Sequence, residues 1–413
     1  VFFNPNLYDK CFFIVSDKES DSSIRSIKKF GTPVPIGLES FTSEISRVQA
    51  TYIRSLGEFH TYSFKKNLIR IHKNTLEFRD SIVYDLYTKG DISSDIVFSN
   101  TLKFPNFDFL IRRDVIEDIQ IKLKEASTNN IVVHSDFGNG KSVFLKMLSA
   151  QLALDGYSVF EYAKFSSGIY REIEKICKSD NNKIVIIIDN YSKHFDLLDH
   201  IALHRDNAIL ILSERTVIND LTYEKLEERF GELFLYDLNK LQENEIIQLI
   251  EILDSYGFWK DKSHFSHDLK VKHITKDCNS ELRSVLMELL ESSDMLKRFN
   301  NVISDIHAKK GYYESFIFIL VSNIYGFELE LMDLGIQLGY DKMNSSAFLK
   351  DRNVLEFINF DKGEIVLKSS VLAQSILEKI VDSKVIVDTL LSLFHKLDNL
   401  KHYKPYRNML KSL

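Results

Sequence analysis

IVVHSDFGNGKSVFLKML, residues 131–148, runs an apolar strand into a glycine loop, a lysine and a hydroxyl residue, and then a helix. That order is the one a phosphate cradle requires. Ile131, Val132 and Val133 predict a buried parallel strand. Gly138 and Gly140 let the turn bring successive N–H groups onto one anion, and Ser142 opens a helix whose positive end faces it. The candidate cradle is therefore Ser135, Asp136, Phe137, Gly138, Asn139, Gly140, Lys141, Ser142 and Val143. Lys141 is expected to reach the β- and γ-phosphates of a nucleotide, and the Ser142 hydroxyl to ligate Mg²⁺. Ser135 stands where the pattern G-x-x-x-x-G-K-[ST] has its first glycine, a short residue that still permits the turn. The bland alternative, a Gly-Asn-Gly turn between a strand and a helix, leaves the matching flanks unexplained.

A second stretch, KIVIIIDN at 183–190, places five consecutive β-branched residues before Asp189. It predicts a strand buried on both faces with a carboxylate at its C-terminal end, where ligands bind in open α/β sheets. Asp189 is thus a candidate Mg²⁺ residue, as in P-loop NTPases generally. Asn190 follows where a carboxylate often orients the attacking water, which predicts slow hydrolysis. A third strand, AILILSERT at 208–216, ends in Arg215, either a γ-phosphate sensor beside the Asp189 strand or a solvated surface arginine. FLIRRDVIEDIQIKL at 109–123 starts an amphipathic helix with apolar residues at 115, 116, 119, 121 and 123. Segments like it lie against the adenine in many P-loop ATPases, which makes Arg113 a candidate nucleotide residue.

At 413 residues the chain has room for two to four domains. A net charge of −6 supplies no broad electrostatic footprint for nucleic acid. Cys11, Cys177 and Cys278 are far apart, form no metal spacing, and read as buried thiols of a reducing cytoplasm. No apolar run is long enough to span a bilayer, so no membrane partner is expected.

Residues 1–56 predict a strand (Cys11 to Val15), a helix (22–30), a strand (Val34 to Leu38) and a helix (41–56), the tail of a partial Rossmann-like unit. Residues 57–105 predict a mostly helical connector, 106–236 the α/β nucleotide domain with a parallel sheet, and 237–300 a helical domain. In 301–385, helices precede the hairpin NVLEFINFDKGEIVLKSS with its Asp361-Lys362-Gly363 turn, the pattern of a winged helix. Residues 386–413 read as the start of a C-terminal helical region. Both ends are expected to continue into a longer protein.

This order of parts resembles the STAND NTPases, signal-transducing ATPases with numerous domains. FLYDLNKLQENEIIQLIEILDSYGFW and IVLKSSVLAQSIL are similar to their bacterial antiviral, AVAST-like branch. The resemblance covers about residues 106–385. It implies an ATPase, binding ATP or ADP with Mg²⁺, set between an N-terminal effector and a C-terminal sensor. It also implies a trigger protein of phage origin and homo-oligomers, tetramer-like by analogy. Lys141, Ser142, Asp189 and Arg215 match the family's nucleotide positions, and Lys368, Ser369 and Ser370 fall where its winged helix closes on the phosphates. The family often has a histidine there, and this chain has none. A hairpin running into a surface helix is the plain alternative for that segment.

CFFIVSDKESDSSIRSIKKFGTPVPIGLESFTSEI, residues 11–45, is similar to the last strands of SIR2-like domains, which often hydrolyse NAD. An unrelated Rossmann-like or TIR-like remnant is the alternative. The NAD loop and catalytic histidine of that fold would precede residue 1, and His60 and His72 read as packing or surface histidines. The rival functions are an ATPase transcription regulator with a DNA-binding winged helix, and a small-molecule kinase. Glu356, Asp361, Glu364, Ser369 and Ser370 around the hairpin are acidic or neutral, which argues against nucleic acid. Residues 143–182 offer no kinase lid or substrate carboxylates.

Overall fold

The structure is a computed structural model. It describes residues 12–15, 32–35, 62–67, 80–101, 109–125, 130–178, 183–204, 208–309, 311–324, 329–330, 348–361 and 364–399. Two compact units divide the chain, Val1–Tyr62 and Ser63–Leu413. In the first, strands β1 (Phe12–Val15) and β2 (Thr32–Pro35) pair in parallel. Parallel neighbours need a crossover connection, and β2 begins at Thr32 rather than the expected Val34. The helices expected at 22–30 and 41–56, and Cys11, His60 and His72, lie outside the described residues.

The second unit is organised by a six-stranded sheet. Its strands are β3 (Phe64–Asn67), β4 (Asn130–His134), β5 (Ser158–Tyr162), β6 (Ile184–Asp189), β7 (Ile209–Glu214) and β8 (Phe234–Asp237), in the spatial order β3-β5-β6-β7-β4-β8. All neighbours are parallel except β3, which pairs antiparallel to β5 at the edge. The expected helical connector thus also contributes a strand. Its helices Asp80–Lys89 and Ser94–Thr101 follow.

The period of two along the β-branched runs divides the core between the sheet's faces. Ile131, Val133, Val185, Ile187 and Ile211 pack against helices Val115–Lys124, Lys141–Leu154 and Glu243–Ser255. Val132, Ile186, Ile188, Leu210 and Leu212 pack against Ile169–Cys177, Phe195–His204 and Thr216–Phe230. Helices on both faces force every βα loop to one sheet edge, the carboxyl edge. The helix expected from residue 109 starts at Val115, with Phe109, Leu110 and Ile111 buried ahead of it. Ile121 of its expected apolar face is exposed.

Helices Leu282–Leu290, Ser293–His307 and Tyr312–Ile324 follow, the second running through the expected boundary at 300. A three-stranded antiparallel sheet of β9 (Leu329–Glu330), β10 (Ile358–Asp361) and β11 (Glu364–Leu367) precedes helix Ser370–Lys379. Asp361 faces Glu364 across the hairpin, as the turn chemistry predicts. Helix Ser383–Asn399 closes the described chain.

A buried ion pair ties the helical lobe to the sheet. Arg113, 5% exposed, places Nε 2.9 Å from Oε2 of the fully buried Glu245, and donates to the carbonyls of Leu238 and Lys240. Glu245 also accepts from the Asp114 and Gln242 amides. Burial pushes the Glu245 carboxyl above its ordinary range, an effect that Arg113 partly offsets. Removing one partner strands a buried charge, so Glu245→Ala should destabilise the chain by about 3–5 kcal/mol in urea unfolding. Adding Arg113→Met should recover part of that loss; a double variant less stable than the single one would contradict the pair's role.

Candidate functional site

The carboxyl edge of the sheet carries a cleft of about 350 Å³. Ser135 through Phe144 line one side, Asp189, Asn190 and Arg215 the back, and Lys368, Ser369, Ser370 and Val371 a third wall. The expected cradle is therefore one continuous surface of it. Gly138 and Gly140 take φ of +87° and +82°, the left-handed region where a side chain is strained. Gly140 caps helix Lys141–Leu154, whose first N–H groups carry no intrahelical partner. Ser135 has no positive φ, which explains why the loop tolerates serine at the first glycine position. Its buried Oγ has no protein partner.

Lys141 Nζ lies 2.8 Å from Asp189 Oδ1. Burial alone would raise the Asp189 carboxyl. The Lys141 ammonium, the Ser213 hydroxyl and the Asn190 amide outweigh it and hold the group below the ordinary aspartate range. Asn190, which follows, takes a left-handed φ of 52° and borders the cleft.

Arg215 directly follows β7, beside the Asp189 strand, as the N-cap of helix Thr216–Phe230, and its guanidinium donates to the carbonyls of Ile324 (3.1 Å) and Asn323 (3.4 Å), at the C-terminal end of helix Tyr312–Ile324. Arg113 borders the cleft but spends its donors on Glu245 and backbone carbonyls, including Asn139 O at 3.4 Å. It buttresses the loop from behind. The cavity's apolar lining includes Leu86, Leu110, Ile111, Met147, Leu282 and Leu286.

The C-terminal helical lobe presses directly on the loop. A Cβ at Gly138 would stand 2.3 Å from Val371 Cγ2, and one at Gly90 (φ +66°) 2.6 Å from the Lys368 carbonyl. Lys368 Nζ pairs with Asp91 at 3.0 Å, and the Ser369 hydroxyl caps helix Ser370–Lys379 by accepting from Leu372 N. The guanidinium of Arg283 stacks on Phe137 at 4.0 Å and donates to Gln374.

Three residues that sequence reasoning missed shape this site. Asn239 Oδ1 accepts from the Asp136 amide and from Asn139 Nδ2, fixing the loop's outer arm, while its Nδ2 donates to Thr216 Oγ1. Glu214, buried, accepts from the Ser192 and Arg215 amides and so orients the turn on either side of Asp189 and Arg215. Ser213 sits opposite Asp189 in register and donates to it. Each lies just past or within a strand whose place beside the loop is set by sheet order, not by local spacing.

No family model and no curated protein matches the chain. Solved structures do. A closed-state cryoEM reconstruction of Hsp104 with ATPγS and FITC casein is similar over 37% of this chain, at 16% identity and a TM-score of 0.28. The chain spans 32% of that Hsp104 chain. Cdc6p of Pyrobaculum aerophilum is similar over 72% of this chain and 98% of its own, at 10% identity and a TM-score of 0.33. The RuvB Holliday junction branch migration motor of Thermotoga maritima is similar over 65% and 95%, at 15% identity and a TM-score of 0.27. The fold itself is an α/β one, with the glycine loop between β4, the second strand from one edge of a mostly parallel sheet, and helix Lys141–Leu154, and with a helical region after the sheet.

The lowered Asp189 carboxyl has a defined sign. Its contribution to stability is present above the ordinary aspartate pKa of about 3.9 and is lost as pH falls through the lower folded value. The stability gap between wild type and Asp189→Asn, from urea unfolding without nucleotide, should stay level between about pH 7 and 5 and narrow below about pH 4. A gap that widens on acidification would show that Asp189 is not held ionised by Lys141.

Proposed function

We propose that the chain is an ATP- and Mg²⁺-dependent conformational switch of the STAND type. The observation that carries this reading is Arg215, which borders the same cleft as Lys141 while bonding the carbonyl end of a helix in the winged-helix lobe. That helix end bears partial negative charge. A γ-phosphate in the cleft would draw the same guanidinium by its greater charge, so a triphosphate competes with the helix for Arg215. ADP lacks the competing group and leaves the lobe seated, whereas ATP favours the released state.

The residues present fit such a ligand. The left-handed glycines, the free amides at the start of helix Lys141–Leu154 and Lys141 would hold the phosphates, with the base toward Leu110, Ile111 and Leu286. Ser142 and Asp189 would hold Mg²⁺, which when bound neutralises charge on the β- and γ-phosphates. Asn190 has no carboxylate with which to activate water, so hydrolysis is slow. The DNA-reading alternative finds no support: helix Ser370–Lys379 carries one basic residue, Lys379, and lays Val371 on the loop. No described helix is long and apolar enough to cross a membrane.

Opened protomers, on this reading, assemble and activate an N-terminal effector when a trigger protein is sensed in the cytoplasm. A SIR2-like, NAD-cleaving effector and an antiviral setting rest on the resemblance of residues 11–45 and 106–385.

Lys141→Ala should weaken ATP and ADP binding roughly 10- to 100-fold, the worth of one charge-assisted bond, with the far-UV spectrum unchanged. Binding as tight as wild type by isothermal titration would refute the phosphate-loop reading. Arg215→Ala should instead keep ADP affinity and lose the distinction between ADP and a non-hydrolysable ATP analogue. An unchanged ratio of the two affinities would remove Arg215 from the switch.

A further inference from the structure

Far from the cleft's chemistry, three ligating side chains converge between the two helices that flank β6. His200 and His204 occupy i and i+4 of helix Phe195–His204, so both rings leave the same face, with centroids 4.4 Å apart. Glu174, on helix Ile169–Cys177, places its Oε1 3.9 Å from Nε2 of each histidine. All three are partly buried, and their ligand atoms lie within 4.8 Å of one another.

At 3.9 Å neither histidine hydrogen-bonds the carboxylate. The gap is instead the size of an ion. One Zn–N and one Zn–O bond together span about 4.1 Å, and tetrahedral closure needs ligand atoms about 3.4 Å apart, a side-chain rotation away. The other carboxylate oxygen, Oε2, is engaged by Lys178 Nζ at 3.8 Å, one turn along the same helix, which leaves Oε1 toward the histidines. His200 Nε2 also meets the Tyr170 carbonyl at 3.2 Å, and that carbonyl keeps its intrahelical bond if the nitrogen turns to a metal.

We propose that Glu174, His200 and His204 form a binding site for a divalent ion of the zinc class, with water completing the coordination, that staples the helices before and after the Asp189 strand. Two imidazoles and one carboxylate select Zn²⁺, Co²⁺, Ni²⁺ or Cu²⁺ over Mg²⁺ and Ca²⁺, which prefer all-oxygen sets. A second cluster, His273, Cys278 and Glu288, does not qualify. There Lys262 Nζ already fills the centre, 2.9 Å from His273 Nε2 and bonded to Glu288, and burial pushes the Cys278 thiol up to about 12, away from the thiolate a metal requires.

The test is a Zn²⁺ titration of the chelator-stripped chain against a chromophoric competitor, in excess Mg²⁺ so that Ser142 and Asp189 do not contribute. Co²⁺ is titrated in parallel for its visible four-coordinate bands. Wild type should bind one Zn²⁺ and gain thermal stability from it. His200→Ala, His204→Ala and Glu174→Gln should each weaken binding by at least the roughly 10- to 100-fold that losing an outer partner costs. Their nucleotide affinity and metal-free melting temperature should stay at the wild-type values. Loss of Zn²⁺ binding in His273→Ala instead, wild-type affinity in the His200→Ala/His204→Ala double variant, or no Zn²⁺ stabilisation of wild type would each overturn the assignment.

Discussion

The Lys141–Asp189 ion pair, 2.8 Å long, can form only across an intervening strand. Lys141 follows β4, Asp189 ends β6, and β7 lies between them. The residue of β7 that stands opposite Asp189 must therefore be small, and it is Ser213, whose hydroxyl donates to the same carboxylate oxygen that Lys141 reaches. With Lys141 overhead, Ser213 beside it and the Asn190 amide below, the carboxylate is ionised and fixed in direction. Lys141 and Asp189 therefore face each other at the open end of the loop, and neither needs the sheet to be rebuilt to take a different counter-charge.

The same geometry explains why the loop is enclosed from three directions. Behind it, Arg113 is locked by Glu245 and supports Asn139. Beside it, Asn239 holds the Asp136 amide and Asn139 through one carbonyl oxygen. Above it, Val371 and the Lys368 backbone rest on Gly138 and Gly90, the positions where a side chain would clash. Glycine at 138 thus answers two demands at once, a left-handed turn and the close approach of Val371. Arg215 joins that lobe to the sheet from the opposite side, at a helix end that attracts its charge.

Much of this was legible before any coordinates. Val132 to Ser142 and Ile184 to Asp189 carry their meaning locally: β-branched runs specify buried strands, and Gly138, Gly140 and Lys141 sit at offsets that a phosphate turn imposes within one short segment. Their convergence follows from chain rules alone, because parallel strands with helical crossovers deliver every βα loop to one edge. The hairpin at 358–367 was legible for the same reason, since its turn residues and flanking apolar stretches lie within one local window.

What local sequence determined, then, is the loop, its acidic partner strand and the hairpin β10–β11. Tertiary structure decided the rest, wherever a residue's role depends on a neighbour far along the chain. Arg113 has no sequence signal for its ion pair with Glu245, over a hundred residues later, which only the fold brings beside it. Asn239 and Ser213 look like ordinary strand and turn residues until the order β7-β4-β8 places them around the loop. Residues 64–67 carry no strand signal of their own and become β3 by pairing with the open edge of β5, where free backbone donors and acceptors wait for a partner. Arg215 could be placed by sequence at the end of its strand, but only the packed lobe gave its guanidinium a helix end to hold, because a long charged side chain takes its direction from the charges folded around it.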